Sequence, residues 1–185
     1  MKVQTVKKVL KAGYKSPKQN IDGYQRNNKL SGKRTQVYYD PITKKAIINH
    51  RGTNSLSDWM TDAAMAVGYE KGKRFQHSKK IQKETEKLYG RENVTTLGHS
   101  LGGRLAEKFG KKSSKVITYN KAATPKSILE KTPKSQFDIR AKGDYVSLLS
   151  KVQRKTNPTL TTKGSFDPIK SHGMSKLKYI KDKNI

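Results

Sequence analysis

The sequence contains no cysteine, which excludes a disulfide framework and a thiolate metal site. No stretch approaches the ~18 consecutive apolar residues that a membrane-spanning helix needs, so no transmembrane segment is expected. The basic N-terminal stretch from Met1 to Lys11 is followed by no apolar core segment, so no secretory signal is expected either. These readings point to an intracellular protein, or one packaged inside a virion or other particle. Acidic residues are scarce: 14 Asp and Glu stand against 41 Lys and Arg, a formal charge of +27. A charge of that size draws a protein towards polyanions, either nucleic acid or an anionic membrane surface. Arginine is scarce as well, with eight against 33 lysines. Lysine is a hydrated point charge without the planar fork, so the pattern suits diffuse, non-specific attraction better than base reading.

What is present argues for a folded chain. Apolar residues make up only 32%, but they cluster in short runs, and 185 residues are enough for one sizeable core. The division expected is a basic N-terminal helix and loop over 1–34 and a folded domain over 35–185.

The most informative stretch is 93–110. A β-branched run from Val94 to Leu97 meets Gly98-His99-Ser100-Leu101-Gly102, and a helical pattern follows at once. A strand, a sharp turn and a helix with Gly-x-Ser-x-Gly at the bend form a nucleophile turn, in which the serine is held in a strained backbone conformation above the sheet. The N–H of Leu101, at the helix N-terminus, can donate to a developing oxyanion. The glycine spacing of Gly98 and Gly103 also matches a phosphate-binding loop. That loop continues with Lys and Ser/Thr, whereas Arg104 and Leu105 stand here, and the magnesium ligand is missing.

Around this centre the expected elements alternate. Residues 3–12 form a basic amphipathic helix whose Val3, Val6, Val9 and Leu10 suit packing better than membrane anchoring. Residues 13–34 read as loop. Gln36 to Tyr39 and Lys45 to Asn49 form a hairpin. A helix opens at Ser57, and a second, charged one runs from about Glu70 to Tyr89 with Phe75, Ile81 and Leu88 inward. Lys115 to Tyr119 and Gln136 to Arg140 are strands, 151–171 is a long polar loop, and Met174 to Ile180 is a short helix. Strands alternating with helices predict an α/β fold with a mostly parallel sheet covered on both faces.

A serine nucleophile needs a base, and the base needs an orienting carboxylate, supplied in this architecture from loops after later strands. His50 and His77 precede the serine and His99 lies inside the turn, which leaves His172 as the base. Asp144, just past the end of a strand, is the preferred acid, and Asp167 is the alternative.

Arg51-Gly52-Thr53, Asp58-Trp59 and Asp62, Gly98-His99-Ser100-Leu101-Gly102-Gly103, Gly143-Asp144-Tyr145-Val146 and a late His172 together resemble the class 3 (fungal-type) lipases, members of the α/β-hydrolase superfamily. The resemblance spans about residues 36 to 180. It implies a compact α/β-hydrolase fold with Ser100 as nucleophile, Asp144 as acid and His172 as base. It also implies Thr53 as a second oxyanion donor beside Leu101, each such donor being worth on the order of 3 kcal/mol. The position of the family's lid falls on Leu56 to Met65, where Trp59, Met60 and Met65 would be its interfacial groups. The chain departs from secreted lipases in lacking disulfides, in having His50 where Phe is usual, and in its lysine load.

The expected function is therefore a carboxylic-ester hydrolase of lipase or phospholipase type, acting without metal or cofactor on lipid or other esters. An anionic membrane surface and non-specific nucleic acid are the partners that the charge suggests. The rival reading is a basic, polyanion-binding or particle-packaged protein on a hydrolase scaffold.

Overall fold

Among the described residues, eight strands form one sheet in which each strand neighbours the next in sequence. The computed structural model describes residues 1–53, 72–123, 125–147, 150, 152–153 and 158–185. The strands are β1 (Asn20–Ile21), β2 (Tyr24–Arg26), β3 (Thr35–Tyr39), β4 (Ala46–His50), β5 (Val94–His99), β6 (Lys115–Tyr119), β7 (Gln136–Ala141) and β8 (Thr159–Thr162). β1 to β4 are joined antiparallel, and β4 to β8 run parallel. The described α-helices are α1 (Val3–Ala12), α2 (Lys73–Tyr89), α3 (Leu101–Phe109), α4 (Pro125–Ile128) and α5 (Pro168–His172), and a 3₁₀ segment covers Met174–Tyr179. This is the mostly parallel α/β sheet that the alternating pattern predicts, in the architecture that the resemblance implies.

Adjacent strand residues point to opposite faces, and the core divides accordingly. Ile47, Leu97, Ile117, Tyr119 and Ile139 bury against Val3, Val6, Val9 and Leu10 of α1 on one face. Val37, Ile48 and Val94 bury against Ile81 of α2 on the other. The parallel strands β4 to β7 are almost continuously buried, as a sheet covered on both sides requires. The N-terminal helix is thus a packed core element, sharing one apolar cluster with the central strands. The two chain ends lie together: the N–H of Val3 donates to the carbonyl of Lys183, and Lys2 and Asn184 form an isolated bridge.

Several local expectations need correction. The 13–34 stretch carries β1 and β2, too short and too polar to show a period. The 151–171 stretch carries β8, whose Thr-Leu-Thr-Thr has little apolar content because it is the edge strand. His172 is the last residue of α5 rather than part of a loop. Leu88 is exposed, and Tyr89 makes the inward contact at the end of α2 by stacking on Tyr39 with ring centroids 4.4 Å apart. The helix expected from Ser57 lies outside the described residues.

Candidate active site

Ser100 sits between β5 and α3 with φ 57° and ψ −128°, a left-handed conformation that few side-chain-bearing residues adopt and that costs on the order of 1–3 kcal/mol. The turn is held by the Ser100 N–H donating to the Tyr119 carbonyl at 3.1 Å, and by the Ser100 carbonyl accepting from Gly103, Arg104 and Ala122. A Cβ at Gly98 would overlap the Gly102 carbonyl, and one at Gly102 would overlap that of His50. The glycines of the motif are therefore required by close backbone approach. Leu101 is the first residue of α3, so its N–H has no partner within the helix.

The segment after β4 lies against this turn. A Cβ on Gly52 would stand 3.0 Å from that of Ser100, and Thr53 follows directly. Trp59, Met60 and Met65, the expected lid groups, lie outside the described residues.

Asp144 and His172 meet. His172 Nδ1 is 2.9 Å from Asp144 Oδ1, with both side chains almost wholly buried. The Asp144 carboxylate also accepts the N–H groups of Val146 and Ser147, each at 3.2 Å. Three donors converge on it and fix its orientation towards the ring. With Nδ1–H directed at the carboxylate, Nε2 of His172 is the nitrogen left to accept a proton. The alternative acid, Asp167, instead accepts the Lys170 N–H at 3.2 Å in the first turn of α5 and is partly exposed. β5, β7 and β8 are parallel, so Ser100, Asp144 and the turn leading to His172 stand at the same edge of the sheet.

Two further residues, not singled out by the sequence, anchor this edge. Asn120, at the end of β6, donates to the carbonyls of Ser171 and His172 at 3.0 and 2.9 Å, and its Oδ1 accepts the Ala141 N–H at 2.7 Å. One amide thus ties the segment that carries His172 to the end of β7. Its φ of 43° lies where Asn is better tolerated than most residues. Tyr14, just after α1, accepts the Gly52 N–H at 2.8 Å, so its own proton is directed at His99 Nδ1, 2.7 Å away. His99 Nε2–H in turn donates to the His172 carbonyl at 2.9 Å. Burial, and next the nearby His172, push the His99 pKa down to about 3, so the ring stays neutral in this one tautomer. Burial also pushes the Tyr14 hydroxyl up to about 12, partly offset by its hydrogen bond from Gly52. The only sequence signals for these residues were a tyrosine next to the packed helix and an asparagine at a strand end.

Beneath α3 lies a buried ionic layer. Glu107 accepts from Arg104 Nη1 at 2.9 Å, Lys121 Nζ, Gln136 Nε2 at 2.9 Å and Gln153 Nε2 at 3.2 Å. A cavity of about 560 Å³ opens beside the Asp144 turn, lined by Lys142, Gly143, Gly164, Ser165 and Phe166. Among the described residues, no group of three or more His, Cys, Asp or Glu side chains converges as a metal site.

A buried serine in a strained turn at the head of a helix and a carboxylate–histidine pair stand on the same edge of an α/β sheet, and the fold is that of an α/β-hydrolase. Residues 11–147 match the Tle-like phospholipase domain. The chain belongs to this phospholipase-like family, and with it to the hydrolases of lipid esters. Among solved structures, it is similar to the Lip2 lipase from Yarrowia lipolytica, with 14% identity and a TM-score of 0.58 over 91% of this chain and 81% of that one. It is also similar to a triacylglycerol lipase from Penicillium expansum, with 13% identity and a TM-score of 0.52 over 94% of this chain and 84% of that one. At these identities the likeness is one of fold. No curated protein sequence matches the chain.

Proposed function

We propose that the protein is a serine carboxylic-ester hydrolase of lipase or phospholipase type that works through an acyl-enzyme. Ser100 Oγ attacks the ester carbonyl carbon while its proton passes to His172 Nε2. Asp144, through its hydrogen bond to Nδ1, holds the tautomer and stabilises the imidazolium. The oxyanion is held by the N–H groups of Leu101 and Thr53. As the ester C–O bond breaks, His172 returns the proton to the departing alcohol oxygen. A water activated by the same base then releases the acid. The observation that carries this reading is the 2.9 Å Asp144–His172 hydrogen bond at the edge where the strained serine emerges.

A lipid substrate is supported by the family match and by apolar side chains at that edge. Tyr145, after β7, is two-thirds exposed, and Phe166, after β8, is fully exposed. The cavity beside them lies within the ~300–1,000 Å³ usual for ligand sites. The resemblance to the lipases assigns Trp59, Met60 and Met65, which lie outside the described residues, as interfacial groups of a lid. Lysines near an anionic membrane contribute roughly 1 kcal/mol each to holding the enzyme there.

The test compares the protein with Ser100→Ala on short-chain p-nitrophenyl esters and on anionic phospholipid vesicles. Activity present in the first and lost in the second supports the proposal. Equal turnover by both, or none by either on every substrate, removes it. The excess charge favours a second reading, association with nucleic acid on an inactive scaffold. Steeply salt-dependent DNA binding without turnover would establish that reading.

A further inference from the structure

The +27 charge is not evenly balanced along the chain. In residues 1–39 there are ten Lys and Arg and one acidic residue, Asp22. Four of those lysines meet at one place: Lys8, Lys11, Lys15 and Lys18 line a concave site of about 240 Å³ together with Ser16. The site lies at the C-terminal end of α1 and in the turn that follows.

This cluster sits on fixed backbone. Val3, Val6, Val9 and Leu10 anchor α1 in the core at 0–1% exposure. Lys8 and Lys11, three residues apart, share a face of that helix. The turn is held at both ends: Tyr14 is bonded to Gly52 and His99, and the Lys18 carbonyl accepts the Tyr38 hydroxyl at 3.2 Å. The four ammonium groups therefore cannot escape one another by moving the chain, only by turning their side chains outward.

The charges do not cancel locally. Asp22 pairs with Lys8, and its second oxygen accepts the Thr5 hydroxyl at 2.9 Å. The C-terminal end of α1 adds about −0.5 of an elementary charge. Four positive charges, less one for Asp22 and about a half for the helix end, leave about +2.5. A phosphate monoester carries about −1.5 to −2 near neutral pH and offers three acceptor oxygens. Lysines binding as point charges and a serine hydroxyl suit such a group without requiring planar, bidentate geometry.

We infer that the concave site formed by Lys8, Lys11, Lys15, Ser16 and Lys18 binds a terminal phosphate group, either on a soluble phosphate monoester or on a lipid headgroup. The site shares no residue with the Ser100 chemistry and does not depend on the esterase reading.

The experiment uses the full chain at constant ionic strength. Inorganic phosphate, glycerol 1-phosphate, and phosphatidylcholine vesicles with and without phosphatidic acid are titrated against four proteins. These are the unaltered protein, Ser100→Ala, the triple variant Lys11→Gln/Lys15→Gln/Lys18→Gln, and a charge-matched control, Lys79→Gln/Lys83→Gln/Lys87→Gln, on the exposed side of α2. The expected result is phosphate and glycerol phosphate binding in which the α1 triple is weaker by at least about tenfold, with the control triple and Ser100→Ala unchanged. A loss of phosphatidic-acid-dependent vesicle binding confined to the α1 triple identifies a lipid headgroup as the source. Vesicle binding equal in both triples, with the difference kept for glycerol phosphate, identifies a soluble monoester. Equal losses in the two triples for every probe, or phosphate binding no tighter than chloride, overturns the inference, because diffuse charge then accounts for everything.

Discussion

Tyr14 Oη and His99 Nδ1 are 2.7 Å apart across 85 residues of sequence, and this contact links the two halves of the candidate active site. Because Tyr14 also accepts the Gly52 N–H and His99 donates to the His172 carbonyl, one directed chain of hydrogen bonds joins the segment after β4 to the end of α5. Tyr14→Phe keeps the ring but leaves a buried donor and acceptor unmet. We predict a loss of about 1–3 kcal/mol, shared between folding and transition-state stabilisation. The esterase kcat should fall by about ten- to a hundredfold with KM little changed, since the positioned groups act on the oxyanion rather than on the bound ester. A raised KM with unchanged kcat would place Tyr14 in substrate binding instead.

The two aspartates that the sequence left open are separated by geometry. Asp144 bonds the His172 ring, whereas Asp167 caps α5. Asp144→Asn should lower kcat by about 10³- to 10⁴-fold by favouring the wrong tautomer of the base. Asp167→Asn should leave kcat close to that of the unaltered protein. The assignment fails if the larger loss falls on Asp167→Asn.

Acid should destabilise the fold through two buried histidines. Burial lowers His50 to about 4 and His99 to about 3, below the ordinary value of 6.5 that applies when the chain is unfolded. Stability from their neutral forms is complete above pH ~6.5 and is lost as pH falls, because the unfolded chain takes up the protons first. Each contributes a slope of about 1.4 kcal/mol per pH unit across that window. Urea unfolding of the protein and of His50→Gln, followed from pH 7.5 to 4.5, should show about one proton fewer taken up by the variant. Identical slopes would mean that His50 is not held neutral.

The layer beneath α3 should be intolerant of single changes. Glu107 is the common acceptor for Arg104 and Lys121, all three nearly fully buried. Glu107→Ala takes from Lys121 its carboxylate partner and leaves Arg104 with Glu130 at 3.0 Å, and should cost about 3–5 kcal/mol in a denaturation experiment. Adding Lys121→Met to Glu107→Ala should recover part of that loss. A double variant less stable than the sum of the two single ones would contradict a charge-based origin.

Much of this protein is legible from local pattern. The Gly-His-Ser-Leu-Gly turn, the buried parallel strands β5 to β7 and the packed α1 are dictated by residues within a few positions of one another. Steric clearance, the two-residue alternation of strands and the helical spacing of valines act at short range. The order of Asp144 and His172 after Ser100 was likewise readable, because a parallel sheet brings successive strand ends to one edge. Short polar strands such as β1, β2 and β8 carry too few apolar residues to show a period, and only their neighbours in the sheet define them. The roles of Tyr14 and Asn120 have no local signature, because each depends on carbonyls and amides brought within hydrogen-bond reach by packing across tens of residues. The same holds for the charge. The sequence determines that it is large and positive, whereas the tertiary structure decides that four of its lysines face one concavity, where burial of α1 and the pinned turn after it hold them together.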